Sequence, residues 1–199
     1  MSPWQSAADI ALKRRRLVFE NTCFRVFSDH IAEPGGLEVK RFLVVAPHTD
    51  RQDLTTGVAV LPLWNGRVVL LRRFRHAVGG VVLEAPRGFL DQGEAPHQAA
   101  LRELSEETGL ICAPENLISL GFCMPEAGII AARVALFAAT KCSPGGRRDK
   151  EEIGLGERVD FSLHEAEQLL RDMTLEDVTT CVALHRLFSA PRNGLGEFR

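Results

Sequence analysis

A chain of 199 residues, 45% hydrophobic and 25% charged, has the make-up of a globular protein, with room for one large domain or a compact domain plus an appendage. A formal net charge of −2 supplies no chain-wide basic field, so no nucleic-acid partner is expected. No stretch approaches the ~20 apolar residues that span a bilayer: the longest candidate, GIIAARVALFAA, is short and interrupted by Arg133, so no membrane partner is expected either.

The N-terminus, MSPWQSAADIALKRRRLVFE, lacks an apolar core followed by a small-residue cleavage site and is not read as a secretory signal. Its basic run Lys13–Arg16 is expected to be a solvated patch at the edge of a helix, without function. Residues 17–48 alternate like strands around the turn Glu33-Pro34-Gly35-Gly36, the mark of a hairpin. After the polar connector TDRQDLTTG, a second hairpin is expected, VAVLPLW and RVVLLRRFR joined by Asn65-Gly66. This divides the chain into a β-rich extension, 1–55, and a main domain, 56–199.

VVLEAPRGFLDQGE reads as a strand entering a glycine-containing loop. The long helix that follows is expected from Ala95, with Pro96 in its first turn, to Gly109, with Leu101, Leu104 and Ala99–Ala100 toward the core. Strands are expected at 117–123 and 129–140, then the charged loop CSPGGRRDKEEIGLGE. Two helices close the chain, the first opened by the capping box Ser162-Leu163-His164-Glu165 and the second capped by Thr174 and running to about Ser189. Five cysteines (Cys23, Cys112, Cys123, Cys142, Cys181) without any Cys-x-x-Cys argue against a disulfide framework or a structural zinc site, and for a reducing, cytoplasmic compartment.

The chemistry concentrates where the long helix ends. Glu103, Glu106 and Glu107 crowd within one turn, although like charges at i,i+3 and i,i+4 repel and a helix C-terminus disfavours anions. A shared cation resolves that conflict. Hard carboxylate oxygens suit Mg²⁺, with Mn²⁺ an acceptable substitute, and a magnesium site with open positions points to phosphate chemistry.

Gly88, five residues, Glu94, seven residues, then Arg102-Glu103-Leu104-Ser105-Glu106-Glu107-Thr108-Gly109-Leu110 resembles the Nudix box at every specified position. The resemblance implies an α+β fold, the Nudix α/β/α sandwich, here with an N-terminal antiparallel β extension. It implies a hydrolase of nucleoside diphosphates linked to another group. It makes Glu103, Glu106 and Glu107 metal ligands, joined by the backbone carbonyl of Arg87, and gives Glu106 a catalytic part as well. Glu94 and Arg102 would pair to hold the loop on the helix, with Gly88 and Gly109 structural.

Over roughly 38–190 the chain is similar to the ADP-ribose pyrophosphatase group of that family. Phe74-Arg75 and the Glu84-x-Pro86 pattern match its run before the box, and Pro125 lies sixteen residues after Gly109, the spacing of that substrate class. The resemblance makes Arg75, Glu84 and Pro125 substrate-binding and puts the general base, Glu151 or Glu152, on the charged loop. Arg73 stands where the group has glutamine or glutamate, Arg87 where it has alanine, and CMPEAGIIAAR departs from its Ser-Pro-Gly stretch. The expected reaction is Mg²⁺-dependent cleavage of ADP-ribose or a related nucleotide sugar into a nucleoside monophosphate and a sugar phosphate. The alternatives are another nucleotide such as GDP-mannose, or a catalytically silent Nudix-fold regulator. The resemblance also implies a homodimer in which Arg41 and Phe42 of one chain line the other chain's base site.

Overall fold

The computed structural model describes residues 10–49, 51–148 and 153–189. They fall into two compact units, one running up to Leu54 and including Glu126–Ala132, the other formed by Thr55–Pro125 and the residues from Arg133 onward.

In the first unit β1 (Ala11–Glu20), β2 (Phe24–Ala32) and β3 (Glu38–Pro47) form an antiparallel sheet in that order. Residues 17–31, which the sequence presents as one alternating run, are broken at Asn21, whose side-chain carbonyl accepts the N–H groups of Cys23 and Phe24 at 2.9 and 2.7 Å. An asparagine that satisfies two backbone donors in this way competes with the sheet ladder and makes a turn. The basic run Lys13–Arg16 belongs to β1 and not to a helix edge. Four successive cations hide the period of two, and irregularities at Leu12/Arg14 and Leu17/Phe19 shift its phase. Arg15 forms a two-pronged ion pair with the buried Asp29 and lies 4.6 Å from the Phe27 ring centre. Val45 is bonded on both sides to the 126–132 segment, giving its N–H to Ile129 and accepting from Ala131.

The second unit is built on β4 (Thr55–Trp64), β5 (Arg67–Arg75), β6 (Gly80–Glu84), β7 (Arg87–Phe89), β9 (Leu117–Cys123), β10 (Arg133–Ala139) and β12 (Leu155–Ser162), with β8 (Leu110–Ile111) and β11 (Ser143–Pro144) forming a small separate pair. The main sheet runs β12-β5-β4-β10-β9, with β6 on β5 and β7 on β4. β4 and β10 are parallel and the other pairings antiparallel. The β4–β5 hairpin turns at Asn65-Gly66 with φ of 49° and 71°, the left-handed pair that a tight hairpin requires.

Alternation divides the core. Ala59, Leu61, Leu63, Val68, Leu70, Leu136 and Ala138 face α2 (Leu163–Arg171) and α3 (Val178–Ser189), meeting Ala166, Ala183, Leu184 and Leu187. Val58, Val60, Val69, Ala135, Phe137 and Ala139 face α1 (Pro96–Thr108), meeting Ala99, Ala100 and Leu104. A sheet covered by helices on both faces is the expected α/β/α sandwich. Leu101 is only half-buried, outside that core. Ser162 caps α2 as its box predicts, accepting the Glu165 N–H. Thr174 does not cap α3: Asp177 does, its carboxylate accepting both the N–H and the hydroxyl of Thr180. Among the described residues no helix is long and apolar enough to cross a membrane.

Candidate active site

The loop 88–95 enters α1 across Gly88. A Cβ at Gly88 would fall inside the Glu103 carboxylate, so only glycine lets that side chain lie on the loop backbone. Glu94 is fixed from two directions, accepting the Asp91 N–H at 2.9 Å and the Arg102 guanidinium at 3.0 and 2.9 Å. That pairing holds the Glu94 carboxyl below its ordinary value, the Arg102 bond being the largest cause. Arg102 also donates to the Phe89 carbonyl, which stitches loop to helix.

Glu103 and Glu106 converge. Nη1 of Arg102 lies 2.7 Å from Glu103 Oε1 and 3.0 Å from Glu106 Oε2. Burial pushes the Glu103 carboxyl up to about 7, with the Arg102 hydrogen bond opposing and the neighbouring glutamates adding to the rise. Glu107 goes elsewhere. Fully buried, it meets Arg73 through one oxygen and the Arg87 N–H, at 2.8 Å, through the other. Its carboxyl too is raised, by burial against the opposing pull of Arg73.

A second network lies beside it. Glu84, also fully buried, accepts from Arg75 and, at 2.7 Å, from Arg87, with Arg73 at 3.8 Å. Arg87 reaches on to Asp177 at 2.8 Å, the same residue that caps α3. Thr180 of α3 accepts the Ala85 N–H at 2.8 Å. Arg148 donates to the Glu107 carbonyl at 2.8 Å, a cation at the helix end where the dipole favours one.

These contacts separate the charges. Glu84, Glu107 and Asp177 face the three guanidinium groups of Arg73, Arg75 and Arg87. Glu94, Glu103 and Glu106, with Asp91 farther off at 3.8 Å, face the guanidinium of Arg102, so carboxylates outnumber the cation they share. Two carboxylates that can share one guanidinium nitrogen are placed to share one ion, and their oxygens are hard donors. The residues therefore fit a divalent cation of the magnesium or manganese kind. Among the described residues, no three His, Cys, Asp or Glu side chains stand together as a ready metal set, since Glu107 is turned onto Arg73.

Residues 53–177 match the NUDIX domain profile, and the chain belongs to that family. Its relatives place it among the pyrophosphatase-like Nudix hydrolases. It is 27% identical over 172 residues to the ADP-ribose pyrophosphatase of Bacillus subtilis (strain 168), covering 85% of this chain and 88% of that one. It is 30% identical over 173 residues to the methanol dehydrogenase activator of Bacillus methanolicus, with the same coverage. The ADP-sugar pyrophosphatase of Mus musculus is 55% identical over 58 residues, 27% of each chain. A crystal structure of ADP compounds hydrolase superposes with a TM-score of 0.75 over 90% of this chain and 92% of that one at 20% identity, which shows the fold.

Of the residues singled out from sequence, the structure brings together Gly88, Glu94, Arg102, Glu103 and Glu106, and beside them Arg75, Glu84, Arg87 and Glu107. Gly109 closes α1 with φ 73°. Pro125 is half-buried in a bend after β9, Arg41 is exposed and Phe42 half-buried on β3. Glu151 and Glu152 lie outside the described residues. Sequence reasoning assigned no role to Arg73, Arg148, Asp177, Thr180 or the side chain of Arg87. The signal for Arg73 was present: it shares the parity of Val69 and Leu71 in β5, so alternation turns it inward.

Proposed function

We propose that the protein hydrolyses the pyrophosphate bond of ADP-ribose or a related nucleotide sugar in a Mg²⁺-dependent reaction, with Mn²⁺ able to substitute. The products are a nucleoside monophosphate and a sugar phosphate. The observation that carries this reading is the convergence of Glu103 and Glu106 on one nitrogen of Arg102, with Glu103 lying against the Gly88 backbone. Glu103 and Glu106 would hold the ion, with the Arg87 carbonyl beside them. A divalent cation there supplies charge neutralisation for the diphosphate.

The chain's own residues do the rest. Arg75, one-third exposed on its Glu84 anchor, offers a guanidinium edge to substrate, and Pro125 shapes the segment that follows β9. Glu151 or Glu152 orients the attacking water. Support for that role is Arg148, which ties the same loop to the last turn of α1. Preorganised placement of charge supplies much of the rate. Exposed apolar residues on the N-terminal sheet, Leu12, Leu17, Phe19, Val39 and Leu43, support a homodimer through residues 1–55, with Arg41 and Phe42 reaching the partner's base site. Five free cysteines support a reducing cytoplasm.

Mass-spectrometric product analysis with ADP-ribose, GDP-mannose and diadenosine polyphosphates, with and without Mg²⁺, tests this. Cleavage of ADP-ribose only when metal is present is expected, and Glu106→Gln retaining full turnover would sink the metal assignment. Preferred cleavage of GDP-mannose would move the substrate. A second reading, a nucleotide-binding regulator, is favoured by the similarity to a methanol dehydrogenase activator along most of the chain. It predicts ligand-induced thermal stabilisation without product.

A further inference from the structure

The β8–β11 ladder pairs Ile111 with Ser143 and Leu110 with Pro144 in antiparallel register. Carried one position further, that register sets Cys112 against Cys142. Directly opposed residues of such a pair have Cα atoms about 4.5–5.5 Å apart, within the about 4.4–6.8 Å that a disulfide spans. Cys142 is buried and Cys112 half-buried, and the two thiols are in hydrogen-bonding contact with each other. That contact holds the Cys112 thiol below its ordinary value, against burial and Glu115, and it pushes the Cys142 thiol up, with burial adding to the rise. Cys123 in β9 and Cys181 in α3 differ, since burial pushes both thiols up. The backbone carrying the pair is fastened. Cys142 gives its N–H to Leu63, Gly146 gives its own to the Gly109 carbonyl at 3.0 Å, and the Arg147 N–H reaches the Ser105 hydroxyl at 3.2 Å.

We propose that Cys112 and Cys142 form a reversible oxidation site for hydrogen peroxide, with Cys112 attacking and Cys142 resolving. The Cys112 sulfur attacks one peroxide oxygen and the O–O bond breaks, giving a sulfenic acid and water. Cys142 then attacks the Cys112 sulfur, and its proton leaves with the sulfenic hydroxyl as a second water. Two thiols lose two electrons and two protons, one peroxide is reduced, and one S–S bond forms. The division of roles follows from access and acidity. A half-buried, acidified thiol meets the oxidant first, while the buried thiol stands where its partner reaches it. Closing the disulfide keeps Cys112 from the irreversible sulfinic stage. Transient pairing of this kind suits a reducing compartment, where lasting disulfides are rare.

The test is peptide mapping of the full, reduced chain after stoichiometric hydrogen peroxide, with alkylation in denaturant and mass spectrometry. A peptide linking Cys112 to Cys142 is expected, lighter than the dithiol pair by two hydrogens, with Cys123 and Cys181 alkylated as free thiols. Dithiothreitol should restore both linked thiols. In Cys142→Ala, dimedone should capture Cys112 as the sulfenic acid, and excess peroxide should carry it to a sulfinic acid that dithiothreitol does not reverse. Cys112→Ala should lose the link and leave Cys142 alkylated. If either variant does not fold, the map of the parent chain decides alone. Recovery of Cys112 and Cys142 as free thiols from the peroxide-treated parent overturns the proposal, as does a link from either one to another cysteine. Irreversible oxidation of Cys112 in the parent with Cys142 left free overturns it as well, because Cys142 would then resolve nothing. Dimedone capture of Cys142 in folded Cys112→Ala overturns the assignment of the attacking thiol and the proposal with it.

Discussion

Glu103→Gln should stabilise the metal-free protein at neutral pH. The Glu103 carboxyl titrates at about 7 in the fold against an ordinary 4.5, because burial outweighs the Arg102 hydrogen bond. At about 1.4 kcal/mol per pH unit, ionised Glu103 costs the folded state roughly 3 kcal/mol, an upper bound because the site can relax. The sign follows from linkage. Below pH 4.5 the group is protonated folded and unfolded, and wild type carries no penalty. From 4.5 to 7 the unfolded chain ionises first, so stability falls as pH rises; above 7 the deficit is constant. Glutamine is neutral throughout and escapes it. Urea denaturation in a chelator at pH 4.5 and 8 should show wild type losing up to roughly 3 kcal/mol relative to Glu103→Gln, or a melting difference of about 6–12 °C for a chain of this size. Parallel pH profiles for the two proteins would refute the argument. Adding Mg²⁺ at pH 8 should narrow the gap, since wild type binds the ion more tightly than the variant and gains more from it.

Gly88→Ala places a Cβ within the Glu103 carboxylate; the circular-dichroism spectrum should be retained while kcat/KM falls by about 10²-fold, the scale of a small misplacement at a reacting centre. Thr180→Val removes the acceptor of the buried Ala85 N–H and should lower stability by about 1–3 kcal/mol in urea. Leu136→Ala, at a fully buried position in β10, should cost about 2–5 kcal/mol, read from the urea midpoint.

Where local chemistry dictates structure, the sequence was legible. Asn65-Gly66, Ser162 with Glu165, and the Gly88-to-Gly109 stretch each contain their own instructions, and the structure follows them. The basic strand β1 was not legible, because its four cations mask alternation and its pairing to β2 depends on Arg15 finding Asp29 fourteen positions away. Nor was the α3 cap. Thr174 has the right chemistry for a cap, but Asp177 wins by serving two ends at once, Thr180 on one side and Arg87 on the other. The crowding of Glu103, Glu106 and Glu107 announced a need for cations. It did not announce that Arg73, thirty-four positions upstream of Glu107, would take one of the three.

The clip between α3 and the Ala85–Arg87 segment sets an order of events during synthesis. Ala85 and Thr180 are 95 positions apart, and Arg87 and Asp177 are 90 apart. A chain that leaves the ribosome from its N-terminus can close the β4–β5 hairpin and the α1 loop early, since their contacts are local. The peptide beside the glutamates cannot be locked until residues 177–180 have emerged. A nascent chain would therefore carry the whole box sequence for many residues of elongation before it gained the geometry to bind an ion tightly, and a message truncated just before that point would encode every box glutamate and still yield an unfastened site.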